Sequence, residues 1–215
     1  MCADTHAHFP LAILAKAPIS GQVKTRLMPA LGAEGACRLH ERLLQQAVDT
    51  ALAATSPHSI TLWTALDHAH PVFRELADRH GIRLRAQPEG DLGQRMFQAL
   101  QAMEEPGLLI GSDCPALTPA LLERCQSALS EADAVFLPVE DGGYALVGVR
   151  RNDQRLFAAI DWGTNRVMKQ TRARAHALGW RLACPAQLWD VDRPEDLDRL
   201  ANHSDTMMRT GGRYR

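Results

Sequence analysis

Seven short runs rich in Leu, Ile and Val punctuate the chain, at Phe9 to Ala15, Ser59 to Ala65, Ile82 to Ala86, Leu108 to Ser112, Ala134 to Val139, Tyr144 to Val149 and Arg181 to Cys184, and each predicts a strand. Between most of them apolar residues recur at three- and four-residue spacings. That period predicts helices over about Ala33 to Ala54, Pro71 to His80, Leu92 to Met103, Pro119 to Glu131, Arg166 to Leu178 and Pro194 to Asn202. Three of these have start signals: Asp91 before Leu92, Thr118 with Pro119 at the first helical position, and Asp192 just ahead of Pro194.

Strands alternating with helices over the first 140 residues imply right-handed crossover units. The expected fold class is α/β, a three-layer α/β/α sandwich around a mostly parallel, doubly wound sheet. The consecutive runs at 134–139 and 144–149, joined by Glu140-Asp141-Gly142-Gly143, interrupt the rhythm and predict an antiparallel excursion. One domain over residues 9–203 is expected, with residues 1–8 and 204–215 as flexible tails.

Composition narrows the function classes. At 215 residues, 46% hydrophobic and 23% charged, the chain has ordinary globular content. Its 24 basic against 25 acidic residues leave a formal charge of -1, without the basic face that nucleic-acid binding requires, so any phosphate site must be local. Five cysteines without CxxC spacing argue against a disulfide framework and for a reducing, cytoplasmic setting. No apolar stretch is long enough for membrane insertion.

The candidate chemistry sits where strands end. Leu108 to Ser112 runs straight into Asp113 and then Pro115, which puts a carboxylate at a strand's C-terminal end. Ligands of open α/β sheets bind outside those ends, and such an Asp suits Mg²⁺ or Mn²⁺ bridging a diphosphate, although a turn Asp before a proline is common without any function. Asp190-Val-Asp192 supplies a second acidic segment ahead of a helix, with Asp192 as a second metal ligand or simply an N-cap. The loop after the first strand offers backbone N–H groups near Ser20 and Gly21 and the cations Lys16, Lys24 and Arg26 for phosphates, or it is a solvated basic loop. It has neither P-loop nor GxGxxG spacing.

Asp141-Gly142-Gly143-Tyr144 reads equally as a hairpin turn or as a general base, Asp141, whose glycines let backbone approach a substrate. Gly90-Asp91-Leu-Gly93-Gln-Arg95 reads as an acidic cap or as a nucleotide approach with Arg95 near phosphate or acceptor. Trp162, in a loop that could close over a pocket, is a stacking residue or a partly buried core tryptophan. Cys114 has no cationic neighbour in sequence and is expected to be inert.

Taken in order, Lys16-Ala-Pro-x-x-Gly21-x-x-Lys24-Thr-Arg26-Leu, Gly90-Asp91-Leu-Gly93-x-Arg95-Met96, Gly111-Ser-Asp113-Cys-Pro115, Asp141-Gly142-Gly143-Tyr144 and Asp190-Val-Asp192-x-Pro194-Glu-Asp-Leu span about residues 9–200. The set resembles the GT-A-like glycosyltransferases of the selenium-domain or radical-SAM-associated transferase family, some linked to arsenosugar biosynthesis, in the nucleotide-diphospho-sugar transferase superfamily. It is also similar to 2-phospho-lactate guanylyltransferase and the molybdenum-cofactor guanylyltransferase. The chain departs from the latter in lacking its double-glycine Arg-Met-Gly loop and in having Tyr-Ala-Leu after Asp141-Gly-Gly. It departs from many GT-A enzymes in having one acidic residue, Asp113, in place of Asp-x-Asp.

The resemblance implies a metal-dependent transferase with a nucleotide-activated donor and a small-molecule acceptor, Asp113 and Asp192 matching the two metal positions. In glycosyl transfer from a nucleotide-diphospho-sugar, Lys16, Lys24 and Arg26 would stabilise the leaving diphosphate and Asp141 would deprotonate the acceptor. In nucleotidyl transfer from an NTP the same loop would hold the departing pyrophosphate. A non-catalytic nucleotide-binding regulator is a third reading, because fold does not fix function.

Overall fold

The computed structural model describes residues 8–211 in backbone and 8–203 in side chains, so the expected tail ends at 1–7 and 212–215 lie outside the described residues. Seven strands form one sheet: β1 (Leu11–Lys16), β2 (Ile60–Ala65), β3 (Arg83–Ala86), β4 (Gly107–Gly111), β5 (Ala134–Pro138), β6 (Tyr144–Val149) and β7 (Leu182–Ala183). The helices are α1 (Met28–Ala54), α2 (Pro71–His80), α3 (Leu92–Gln101), α4 (Pro119–Ala128), α5 (Val167–Ala177) and α6 (Asp196–Gly211). Every predicted strand and helix is present, within a few residues at most ends. α1 starts earlier than its period predicts because a short N-terminal piece is joined through Gly32, at φ 69°, to the main helix from residue 33. α6 runs on to Gly211, past the end expected at 202.

The sheet order is β3-β2-β1-β4-β6-β5-β7. β1, β2, β3 and β4 are parallel, whereas β6 lies antiparallel between β4 and β5, the excursion predicted from the two consecutive runs. Alternate strand residues feed two cores. Leu11, Ile13, Ile60, Leu62, Leu108 and Ile110 pack under α1, α2 and α4 through Leu44, Phe73 and Leu122. Ala12, Leu109, Phe136 and Val147 pack under α3 and α5 through Met96, Ala99 and Met168. Each such fully buried Leu, Ile or Phe contributes roughly 1.5–3 kcal/mol, which is why the period-two pattern fixes the register.

The order 3-2-1-4 means the chain winds outward from β1 to β3 and then returns to the other side of β1. β1 and β4 therefore flank a topological switch point, where side chains beyond their carboxyl ends open a crevice. Among the described residues no helix is long and apolar enough to cross a membrane.

Candidate functional site

A crevice of about 710 Å³ opens at that switch point. The ends of β1 and β4, the loop before α1, the start of α3, the β5–β6 turn, residues 162–164 and the segment around 190–192 line it. It gathers Lys16, Lys24, Arg26, Gly90, Arg95, Asp113, Asp141, Gly143, Tyr144, Trp162 and Asp192 from the sequence-predicted set. Ser20, Gly21, Asp91 and Gly142 are not among the lining residues. Gly21 makes a turn at φ 82°, and Asp91 is the N-cap of α3, its Oδ1 accepting from the Gln94 N–H at 2.8 Å.

Asp113 leaves β4 as expected, and its carbonyl accepts the Val191 N–H at 3.0 Å. That bond draws the 190–192 segment alongside the strand end. Cys114 strengthens the seam by donating its Sγ–H to the Trp189 carbonyl at 3.1 Å. Burial pushes the Cys114 thiol up to about 12, which disfavours the thiolate.

Lys24 crosses the same seam. Its Nζ lies 2.8 Å from Asp113 Oδ1 and donates to the Val191 carbonyl, with the lysine side chain only 3% exposed and the Asp113 side chain 47% exposed. Lys24 is thus a buried tie, not a free cation at the crevice mouth. Burial acts to raise the Asp113 carboxyl, but the Lys24 ammonium and its hydrogen bond, with His40 and Lys16 behind them, outweigh it and hold the group below the usual range. Arg26 pairs with Asp192. Asp192 does not cap α6; Asp196 Oδ2 accepts from the Asp192 and Arg193 N–H groups there, at 3.0 and 2.7 Å.

Asp190 is the residue the strand-end argument passed over. Its carboxyl is pushed up to about 6, first by burial and then by the neighbouring Asp141, with Asp113 adding to the effect and Lys24 opposing it. Among the described residues no Lys, Arg or His forms an ion pair with it. Asp141 caps its own turn, Oδ1 accepting the Gly143 N–H at 2.8 Å. The segment is the hairpin turn between β5 and β6, and Asp141 and Gly143 line the crevice.

His40 was also not predicted. It sits on the buried face of α1, 4% exposed, with Nε2 2.9 Å from the Lys16 carbonyl and Nδ1 3.9 Å from Asp113 Oδ1. A carbonyl can only accept, so Nε2 is the donor to Lys16, which leaves Nδ1 on the Asp113 side. The available signal was a histidine four residues from both Ala36 and Leu44 on an apolar helix face, since a buried polar group must find a partner.

The opposite wall is apolar. Tyr144 packs edge-on against Phe136 and Trp162, at 4.9 and 6.4 Å between ring centroids, and burial raises its phenol, which points inward toward Met96 Sδ at 3.7 Å. Tyr144 and Met96 both line the crevice. The loop carrying Trp162 rests directly on the turn: a Cβ at Gly142, where φ is 91°, would lie 2.2 Å from the Asn165 carbonyl oxygen. Gly142 serves that close approach.

The sheet order β3-β2-β1-β4-β6-β5-β7, with β6 antiparallel, thus carries a switch-point crevice that joins carboxylates, a cationic loop and an apolar wall. The chain belongs to the family described as uncharacterized protein conserved in bacteria (DUF2064), which matches residues 39–164. No curated protein sequence matches it. Among solved structures it is similar to a candidate nucleotide-diphospho-sugar transferase from Desulfovibrio desulfuricans G20, with a TM-score of 0.76 at 23% identity over 93% of this chain and 96% of that one. A nucleotidyl transferase from Methanothermobacter thermautotroptrophicus gives 0.62 at 17% identity, over 94% and 99%. Rv0371c of Mycobacterium tuberculosis H37Rv, in complex with manganese, gives 0.57 at 18% identity, over 90% and 98%. At these identities the likeness establishes the fold.

Proposed function

We propose that the protein is a metal-dependent transferase that moves a glycosyl group from a nucleotide-diphospho-sugar to a small acceptor in a reducing cytoplasm. The observation that carries this reading is the convergence of Asp113, Asp190 and Asp141 in one crevice with Lys16 and the Arg26–Asp192 pair.

The donor set fits a divalent cation of the Mg²⁺ type. Among the described residues no three His, Cys, Asp or Glu side chains form a ready-made metal cage. Mg²⁺ needs none, since it is commonly held by one or two carboxylates together with substrate phosphates. Asp113 and Asp190 would hold it, because among the described residues Asp190 forms no ion pair while Asp192 is engaged by Arg26. When bound, the cation would neutralise charge on the donor diphosphate. Lys16, exposed at the end of β1, would meet the same phosphates, and Lys24 would orient Asp113. Asp141 would take the proton from the acceptor hydroxyl, its own orientation fixed by the Gly143 N–H.

Nucleotidyl transfer is the second reading, supported by the similarity to a nucleotidyl transferase fold. Incubation with Mg²⁺ or Mn²⁺ and a panel of sugar nucleotides and nucleoside triphosphates separates the two. Release of sugar and nucleoside diphosphate supports glycosyl transfer, and acceptor-dependent pyrophosphate release supports nucleotidyl transfer. Tight nucleotide binding with neither product would make the protein a non-catalytic regulator and overturn both.

A further inference from the structure

We infer that Arg199 of α6 is a positioning residue that sets the spacing between Asp141 and Asp190, acting on the first through Glu140 and on the second through Trp189. The inference rests on the transferase reading proposed above and deepens it, since Asp141 is the base of that reading and Asp190 one of its metal-holding carboxylates.

The two carboxylates sit on segments that pair and then part. Beyond β5, Val139 bridges Leu188 in parallel, the Leu188 N–H donates to the Pro138 carbonyl at 2.8 Å, and the Glu140 N–H donates to the Leu188 carbonyl at 3.2 Å. Glu140 and Trp189 are the last residues before Asp141 and Asp190. Arg199 takes hold of both. Its Nη1 and Nη2 donate to the two carboxylate oxygens of Glu140 at 2.7 and 3.0 Å, and its guanidinium carbon lies 4.6 Å from the Trp189 ring centroid. Helix α6 gives the arginine a fixed base. Asp196 accepts from the Asp192 and Arg193 N–H groups at its start, Leu197 and Leu200 pack against the cluster that holds Leu39, Leu43 and Trp189, and His203 Nε2 lies 3.2 Å from the Pro115 carbonyl.

Arg199, Glu140 and Trp189 are not among the residues lining the crevice, so what they supply to a reaction there is order and not contact. Asp141 and Asp190 carry like charge into one crevice and push each other apart. A guanidinium forked on the neighbour of one and stacked on the neighbour of the other opposes that push from behind. The side chains of Arg199 and Glu140 are half-exposed, and an exposed ion pair adds little to the stability of a fold. Alignment is more sensitive, since a misplacement of about 1 Å in a catalytic constellation can cost about a hundredfold in turnover. Arg199 therefore acts on the spacing of the carboxylates far more than on folding.

Steady-state kinetics with Mn²⁺ and the donor identified by the panel above test this on Arg199→Met, Glu140→Gln and the double variant, with thermal melting and amide hydrogen exchange on the same proteins. Arg199→Met keeps a long side chain over Trp189 and removes the fork. It should lower kcat about tenfold, with donor KM within about threefold and melting temperature within about 3 °C of the wild type. The double variant should be no more than about twofold slower than the slower single one. Amide exchange at Leu188 and Glu140 should quicken about tenfold in Arg199→Met while that of β1 stays unchanged. A kcat within about twofold of the wild type overturns the inference. So does a KM rise at unchanged kcat, which would make Arg199 a donor contact, and so do multiplying losses in the double variant, which would mean that Glu140 is not its route. If the wild type turns over no donor, the transferase reading fails, and exchange alone decides the spacing role: quickened exchange at Leu188 and Glu140 upholds it and unchanged exchange overturns it.

Discussion

Lys24 and Asp113 form the innermost ion pair of the crevice, 2.8 Å apart, with the lysine almost wholly enclosed and the aspartate half open. The pair binds the first loop to the end of β4, and through the Val191 carbonyl to the 190–192 segment as well. Removing Lys24 leaves a carboxylate and a carbonyl without their donor. Lys24→Met should lower unfolding free energy by about 1–3 kcal/mol, and a double-mutant cycle with Asp113→Asn should give a coupling of at least about 0.5 kcal/mol by urea denaturation. Additive losses would mean the two side chains do not act together.

The two carboxylates of Asp190-Val-Asp192 have different surroundings, and that difference predicts different roles. Asp190 faces Asp141 and Asp113, while Asp192 is neutralised by Arg26. Asp113→Asn and Asp190→Asn should each weaken Mn²⁺-dependent nucleotide binding at least tenfold, and Asp192→Asn less than threefold, by calorimetry on variants with unchanged far-ultraviolet dichroism. The reverse order would return the second metal position to Asp192.

The contrast shows what a local pattern can carry. The strands, the helices and the place of Asp113 were legible because burial on a sheet face and termination at a proline leave marks within a few residues of each other. Thr118 and Asp91 cap α4 and α3 as their positions predict, at 3.3 and 2.8 Å. The placements of Asp190, His40 and Gln87 were not legible, because each depends on contacts between segments distant in sequence. Val191 N–H to the Asp113 carbonyl, His40 to the Lys16 carbonyl and Gln87 to the Ala15 carbonyl span 78, 24 and 72 positions. Lys24 was legible as a cation but not as a buried one, since its partner lies at the far end of β4.

Gly142 predicts the behaviour of the loop above the turn. Its φ of 91° disfavours any side chain, and a Cβ there would lie 2.2 Å from the Asn165 carbonyl oxygen, a backbone atom that cannot swing aside. The Met168 N–H also donates to the Gly142 carbonyl at 2.8 Å, so the start of α5 is held by the same residue. Gly142→Ala should cost at least about 2 kcal/mol and displace the Trp162 loop, read as a lower melting temperature and faster proteolysis between residues 160 and 166. Wild-type stability in this variant would show that the loop is not seated on the turn.

Away from the crevice, Asp133 predicts how stability depends on pH. The residue is 6% exposed at the start of β5, and its carboxylate accepts the Arg181 N–H at 2.9 Å, pairs with Arg150, and lies 3.4 Å from Arg151. The Arg181 N–H and then the Arg150 hydrogen bond hold its carboxyl below the ordinary value, more than burial raises it. A depressed folded-state pKa means the unfolded chain binds the proton first. The stabilisation is therefore complete above the unfolded pKa of about 3.9 and is lost as pH falls through the lower folded value. Asp133→Ala should cost about 2 kcal/mol at pH 7, and its deficit against the wild type should shrink steadily below about pH 4. A deficit that stays constant down to pH 2 in urea titrations would mean that Asp133 stabilises the fold by packing and not by charge.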